Sequence, residues 1–145
     1  MAVEGKYLQQ FPMFSDLNDA RRANIAQFCE AECFYPGYTL FEDGEPGTNI
    51  YILVQGKVEV LFAIGEGGLV RVDQIGIGSV IGCSALVPPY TYTSTTRSLS
   101  EIEVLVIDAD GLRKLIEEDP ALGVSLQQYI IRVLLDRIID FRLSA

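Results

Sequence analysis

The sequence predicts a mainly β domain, a closed barrel or jelly roll, with a helix before it and helices after it. Three observations carry this. From Tyr35 onward, short runs of Tyr, Ile, Val and Phe alternate with the turn pairs Pro36-Gly37, Asp43-Gly44, Pro46-Gly47 and Gln55-Gly56. Aromatic and β-branched residues favour pleated strands, and the Gly-containing pairs reverse the chain between them. Before Tyr35 the apolar residues recur at helical spacing, and after Asp108 a helical pattern returns, broken at Pro120.

The first helix is expected over 15–32. Asn18 is its N-cap, Leu17, Ile25, Phe28 and Cys29 recur near helical spacing, and Arg21 and Arg22 sit on the solvated face. Cys29 and Cys33, four apart, fit one face of the same helix. The strands fill 35–108. In "KVEVLF", Val58, Val60 and Phe62 share one face while Lys57 and Glu59 share the other. "GEGG", Gly65 to Gly68, supplies the positive-φ positions of a hairpin, and "LVRVDQI" returns as its second strand. "EIEVLVID" alternates again, with Ile102, Val104 and Val106 expected inward.

The C-terminal helices are expected over 109–143. Asp108 caps the first, Asp119 caps the second, and Pro120 suits the second's first turn. In that last helix Gln127, Ile131, Leu134, Ile138 and Phe141 step by four, three, four and three, while Leu126, Ile130 and Val133 line a neighbouring face. One apolar stripe suffices to dock a helix; a second suggests a partner helix. We therefore expect a homodimer with Ile131, Leu134, Ile138 and Phe141 at its interface. The alternative is one broad stripe packed on the barrel.

At 145 residues the chain is expected to form a single domain, 1–145. No apolar run is long enough to span a bilayer, and the start lacks a basic segment followed by an apolar one, so a cytoplasmic protein away from membranes is expected. The net charge of −9 argues against nucleic acid and anionic lipid as partners. The absence of His removes imidazole bases and most zinc sites, and no nucleophile elbow, P-loop or metal-spaced carboxylate cluster stands in for them. The expectation is a non-enzyme with no metal. Its three Cys, an odd number, are expected as reduced thiols, more in keeping with small apolar core residues than with ligands.

"GSVIGCSALVPPYTYTSTTRS", Gly78 to Ser98, has the layout of a phosphate pocket: a Gly, small residues, a loop, then hydroxyls. It contains no carboxylate, and its one basic residue, Arg97, lies near the far end.

The order of these pieces resembles the cyclic nucleotide-binding domain of catabolite-activator regulators, kinase regulatory subunits and gated channels. "FPMFSDLNDARRANIA" looks like its first helix, "YPGYTLFEDGEPGTNIYILVQGKVEV" like its Gly-punctuated first strands, "GSVIGCSAL" like the opening of its phosphate cassette, and "EIEVLVIDADGLRKLI" like its last strand and the helix after it. The resemblance runs from about Phe11 to Phe141. It implies a β-roll (a double-stranded β-helix) between an N-terminal helix and a long C-terminal helix, with cyclic AMP or another small ligand bound in the roll.

The family's cassette reads Phe-Gly-Glu-x-Ala-Leu, with an Arg nine or ten residues past the Glu. Backbone amides and the Arg hold the cyclic phosphate, and the Glu accepts from the ribose hydroxyl. Here Ile81, Gly82, Ala85 and Leu86 keep the frame, Cys83 stands at the Glu position, and Thr93 stands at the Arg position, followed by Ser94 and Thr95. With Ser84 and Arg97 these are the candidate ligand-binding residues. Each lost charged contact removes about 1.5–3 kcal/mol, together roughly two to four decades of affinity. Arg97 is either a substitute anchor or a surface residue paired with Glu101 or Glu103. Tyr90 or Tyr92 either folds into the vacated cavity or lies exposed on the loop.

The resemblance implies a non-catalytic regulatory domain with weak or lost cyclic nucleotide binding, acting on an unidentified downstream protein. The alternatives are an interaction or dimerisation module with an empty or self-filled pocket, and the effector part of a catabolite-activator-type transcription regulator.

Overall fold

A computed structural model describes residues 1–144, with Phe141 and Ser144 described by backbone only. Eight strands form two antiparallel sheets: β1 Cys29–Phe34, β2 Thr39–Phe41, β3 Asn49–Gln55, β4 Val58–Ala63, β5 Leu69–Ile75, β6 Val80–Ile81, β7 Thr95–Ser98 and β8 Ile102–Asp108. One sheet runs β1-β8-β3-β6 and the other β2-β7-β4-β5. Phe41, Ile50, Ile52, Val58, Val80, Ile102, Leu105 and Ile107 are buried in the common core. This is the mainly β roll that the turn glycines foretell. The β4–β5 reversal uses Gly65 at φ 56° and Gly68 at φ 98°, with Gly68 O accepting from Ile64 N at 3.2 Å.

Three short helices precede the roll: α1 Gly5–Leu8, α2 Pro12–Ser15 and α3 Asp19–Ala26. Asn18 caps α3 as expected, its side chain accepting from Arg21 N at 2.8 Å. The helix expected over 15–32 is a shorter one. It stops at Ala26, and Cys29–Phe34 is strand β1, pairing with β8 from Cys29↔Ile107 to Phe34↔Ile102. The spacing of Ile25, Phe28 and Cys29 fits a helix locally, but the open edge of β8 offers a ladder of backbone hydrogen bonds, and pairing overrides local pattern. Cys29 and Cys33 therefore share no helix face. Cys29 is buried with its thiol against Ile25 O, and Cys33 is exposed, against the expectation of core thiols.

Arg21 and Arg22 are likewise not simply solvated. Arg22 is buried and donates to the carbonyls of Phe14, Ser15 and Leu17, holding α2 to α3. Arg21 forms a two-pronged bond to Asp119 at 2.7 and 3.0 Å. Val106, expected inward, lies only half-buried opposite Glu30 and Tyr51, while Leu105 and Ile107 fill the core. Register, which one sequence does not reveal, decides which half of such a run faces in.

α4 spans Ala109–Glu118 and is capped by Asp108, which accepts from Gly111 N at 3.0 Å. α5 spans Pro120–Ser144. Its first turns are anchored: Leu122 and Leu126 are buried, and Ile130, Val133 and Arg137 continue that stripe half-buried. Ile131, Leu134 and Ile138 lie on the exposed side; the side chain of Phe141, the fourth expected interface residue, falls outside the described residues.

Candidate functional site

Gly78–Ser98 folds around a cavity of about 290 Å³. β6 runs along β3, and Gly82 then turns the chain at φ 81°. A side chain at Gly82 would also meet the Tyr92 ring at 3.0 Å and the Phe41 ring at 3.3 Å, so both backbone and space call for glycine. A 3-10 helix, Cys83–Leu86, follows, and β7 begins only at Thr95, which leaves Thr93 and Ser94 in the loop. These local features gather Gly82, Cys83, Ser84, Thr93, Ser94 and Thr96 on the cavity wall. Phe41, Val60 and Phe62 from the barrel and Leu134 from α5 supply apolar wall. Arg137, also from α5, is the only charged residue lining it among the described residues.

Burial pushes the Cys83 thiol up, and the Arg137 charge offsets only part of that, so the thiol stays protonated at neutral pH. Thr96 is 1% exposed, and its hydroxyl has no hydrogen-bond partner.

The other expected site residues lie elsewhere. Ala85 is the buried residue of the 3-10 helix, its carbonyl accepting from Arg113 at 2.7 Å, and Leu86 packs on the core. The Thr95 hydroxyl accepts from Asp43 N at 3.1 Å. Arg97 points away from Thr96 to the outer face of the sheet, because neighbours on a strand alternate. Its partner is neither Glu101 nor Glu103 but Glu59, 3.9 Å away across β4, which also holds Arg71 at 2.8 Å. Tyr92 is buried behind the wall made by Gly82 and Phe41 and does not occupy the cavity. Tyr90 stays 40% exposed with the Arg113 guanidinium 4.7 Å over its ring.

Arg137 and Thr96 were not foreseen. The signal for Arg137 was present: Leu126, Ile130 and Val133 step on by four to residue 137, where an apolar stripe ends in a charge. A larger groove, about 530 Å³, crosses the outer face of the first sheet past Glu30, Glu32, Tyr38 and Tyr51, but nothing in the sequence marks it as a site, and its Asp108 is engaged in capping α4. Among the described residues no group of three or more Cys, Asp or Glu is placed to hold a metal, and no helix is long and apolar enough to cross a membrane.

The cyclic nucleotide-binding domain pattern matches residues 31–119, which include the cassette and both sheets apart from Cys29 and Glu30 at the start of β1. The chain belongs to the cyclic nucleotide-binding domain family. It is 28% identical over 128 residues to a candidate potassium channel protein of Rhodopseudomonas palustris, covering 88% of this chain and 31% of that protein. It is 29% identical over 120 residues to a CRP-like cAMP-activated global transcriptional regulator of Mycobacterium tuberculosis, covering 83% and 54%. The chain thus spans about half, or less, of the length of the curated relatives it matches. The crystal structure of a candidate cyclic nucleotide-binding protein from Geobacter metallireducens superposes with a TM-score of 0.85 at 27% identity, covering 94% of this chain and 98% of that one.

Within this cyclic nucleotide-binding fold, the two positions that the resemblance assigns to a Glu and an Arg both line the cavity, and they carry Cys83 and Thr93.

Proposed function

We propose that this domain is a non-catalytic regulatory module whose cassette binds cyclic nucleotides weakly or not at all, and that it pairs with a second copy through α5. The observation that carries the reading is the composition of the cavity wall: a thiol at Cys83, hydroxyls at Ser84, Thr93, Ser94 and Thr96, and neither a carboxylate nor a barrel-borne cation. A phosphate monoanion in a part-buried cavity needs charge-assisted donors, and with Arg137 of α5 as the one cation among the described lining residues its desolvation is only partly compensated. Titration calorimetry with cyclic AMP and cyclic GMP tests this. Dissociation constants above about 10 μM are expected from the loss of two to four decades; submicromolar binding of either nucleotide would overturn the reading. The exposed Ile131 and Ile138 support pairing, since neither lies on the docked stripe or lines the cassette cavity.

A further inference from the structure

We propose that Arg137, carried by α5, is the anion anchor of the cassette cavity, so that a small organic anion with an apolar body is held between the helix and the barrel. This rests on the reading of that cavity as a ligand site.

The wall is built for one negative charge. Arg137 is its only charged residue among the described ones, and it arrives on the docked stripe of α5 rather than from the solvent side. The groove on the other flank of Arg137 is acidic, with Asp73, Asp136 and Asp140, and this disfavours an anion there but leaves the cassette side open to one. Cys83 matters for the same reason. A carboxylate at that position would pair with Arg137 and cancel its field. The protonated thiol leaves the guanidinium free to act on a ligand.

Thr96 contributes to the cavity wall, but its hydroxyl is closed off from the cavity space, so a ligand oxygen reaches it only if the wall gives way. Ser84 and Ser94 add donors, while Phe62 and Leu134 offer apolar surface for the rest of the molecule. At about 290 Å³ the cavity is at the small end of ligand sites, suited to a mononucleotide-sized or smaller compound. The charge is a phosphodiester or a carboxylate; a guanidinium forks to either.

The test titrates three probes into the ¹⁵N-labelled protein and follows amide shifts at residues 82–84 and 94–96. The probes are cyclic AMP, its uncharged counterpart adenosine, and phenylacetate. At least one anion should bind about ten- to a hundredfold more tightly than adenosine, and which one it is identifies the charge. Arg137→Gln should erase that preference with thermal stability unchanged, Arg137→Lys should keep part of it, and Arg97→Gln should change nothing. An anion preference that survives Arg137→Gln overturns the proposal and leaves the cavity standing as a ligand site. No saturable shift at these amides with any probe up to millimolar concentration overturns both.

Discussion

The ring of Tyr92 lies flat on that of Phe41, with centroids 3.8 Å apart and planes 9° from parallel, and its hydroxyl donates to Asn49 O at 2.6 Å while accepting from Asn49 N at 3.0 Å. Tyr92 is thus a brace joining the cassette loop to β2 and β3. Tyr92→Phe leaves both Asn49 groups unpaired and should cost about 1–3 kcal/mol; Tyr92→Ala should cost about 3–5 kcal/mol. Urea unfolding monitored by circular dichroism measures both. Because the ring stands behind the cavity wall, neither change should raise nucleotide affinity.

Restoring the two missing anchors should create a nucleotide site. Cys83→Glu with Thr93→Arg places a carboxylate and a second guanidinium on the same wall. Calorimetry should show a gain of about two decades in cyclic AMP affinity for the double variant. Thr93→Arg alone should give part of it. Cys83→Glu alone should give none, because the new carboxylate repels the phosphate and neutralises Arg137.

Ile131→Glu with Ile138→Glu should convert a dimer to monomers without loss of the sheet signal. Both side chains are about half exposed on the undocked side of α5, so their replacement should disturb the fold little and bear mainly on the proposed contact between copies. Sedimentation velocity at tens of micromolar decides it, and a monomeric wild type sinks the pairing.

Gly111 sits against the Phe28 ring so closely that an added Cβ would fall 2.2 Å from Cδ1. Gly111→Ala must displace Phe28 or α4, at a cost of about 1–3 kcal/mol despite the better helix propensity of Ala. Chemical denaturation of the variant beside the wild type checks the sign.

Burial pushes the Cys29 thiol from 9.0 up to about 12. An unfolded chain releases that proton near pH 9 and the folded one holds it, so stability is whole below pH 9 and declines as pH rises toward 12. The loss from Cys29 should reach about 1 kcal/mol by pH 10, with Cys83, also raised, adding to it and Tyr51 joining above that. Cys29→Ala with Cys83→Ala should flatten the decline between pH 9 and 10 in thermal melts.

The sequence made the roll readable because its strands are short and its turns need glycine; Gly65, Gly68 and Gly82 all take positive φ. The caps Asn18 and Asp108 were readable for the same local reason. What local pattern could not supply was pairing and facing. Phe28–Cys29 reads as helix until β8 is there to pair with it. Arg97 reads from the sequence as a substitute anchor or a surface residue, and only the alternation along β7 settles that it faces outward toward Glu59. Arg22 reads as solvated surface until three carbonyls converge on it. At the site, the cassette frame was visible in Ile81, Gly82 and Cys83, whereas Arg137 lies more than fifty residues away and meets the cavity only through the path of α5.

α5 is also a lever. Its 25 residues rise about 37 Å, yet only its first turns, through Leu122 and Leu126, are fully buried. The fulcrum is the junction at Asp119, clamped by Arg21 from α3. A tilt of about 10° there would leave Leu122 nearly in place and carry the far end by about 6 Å, roughly one helical pitch. Arg137 lies well out along this arm, against the cassette. A displacement at Arg137, about 26 Å from that fulcrum, would grow about 1.4-fold by the helix end, while Ile131 and Leu134, nearer the fulcrum, would move less than Arg137 does.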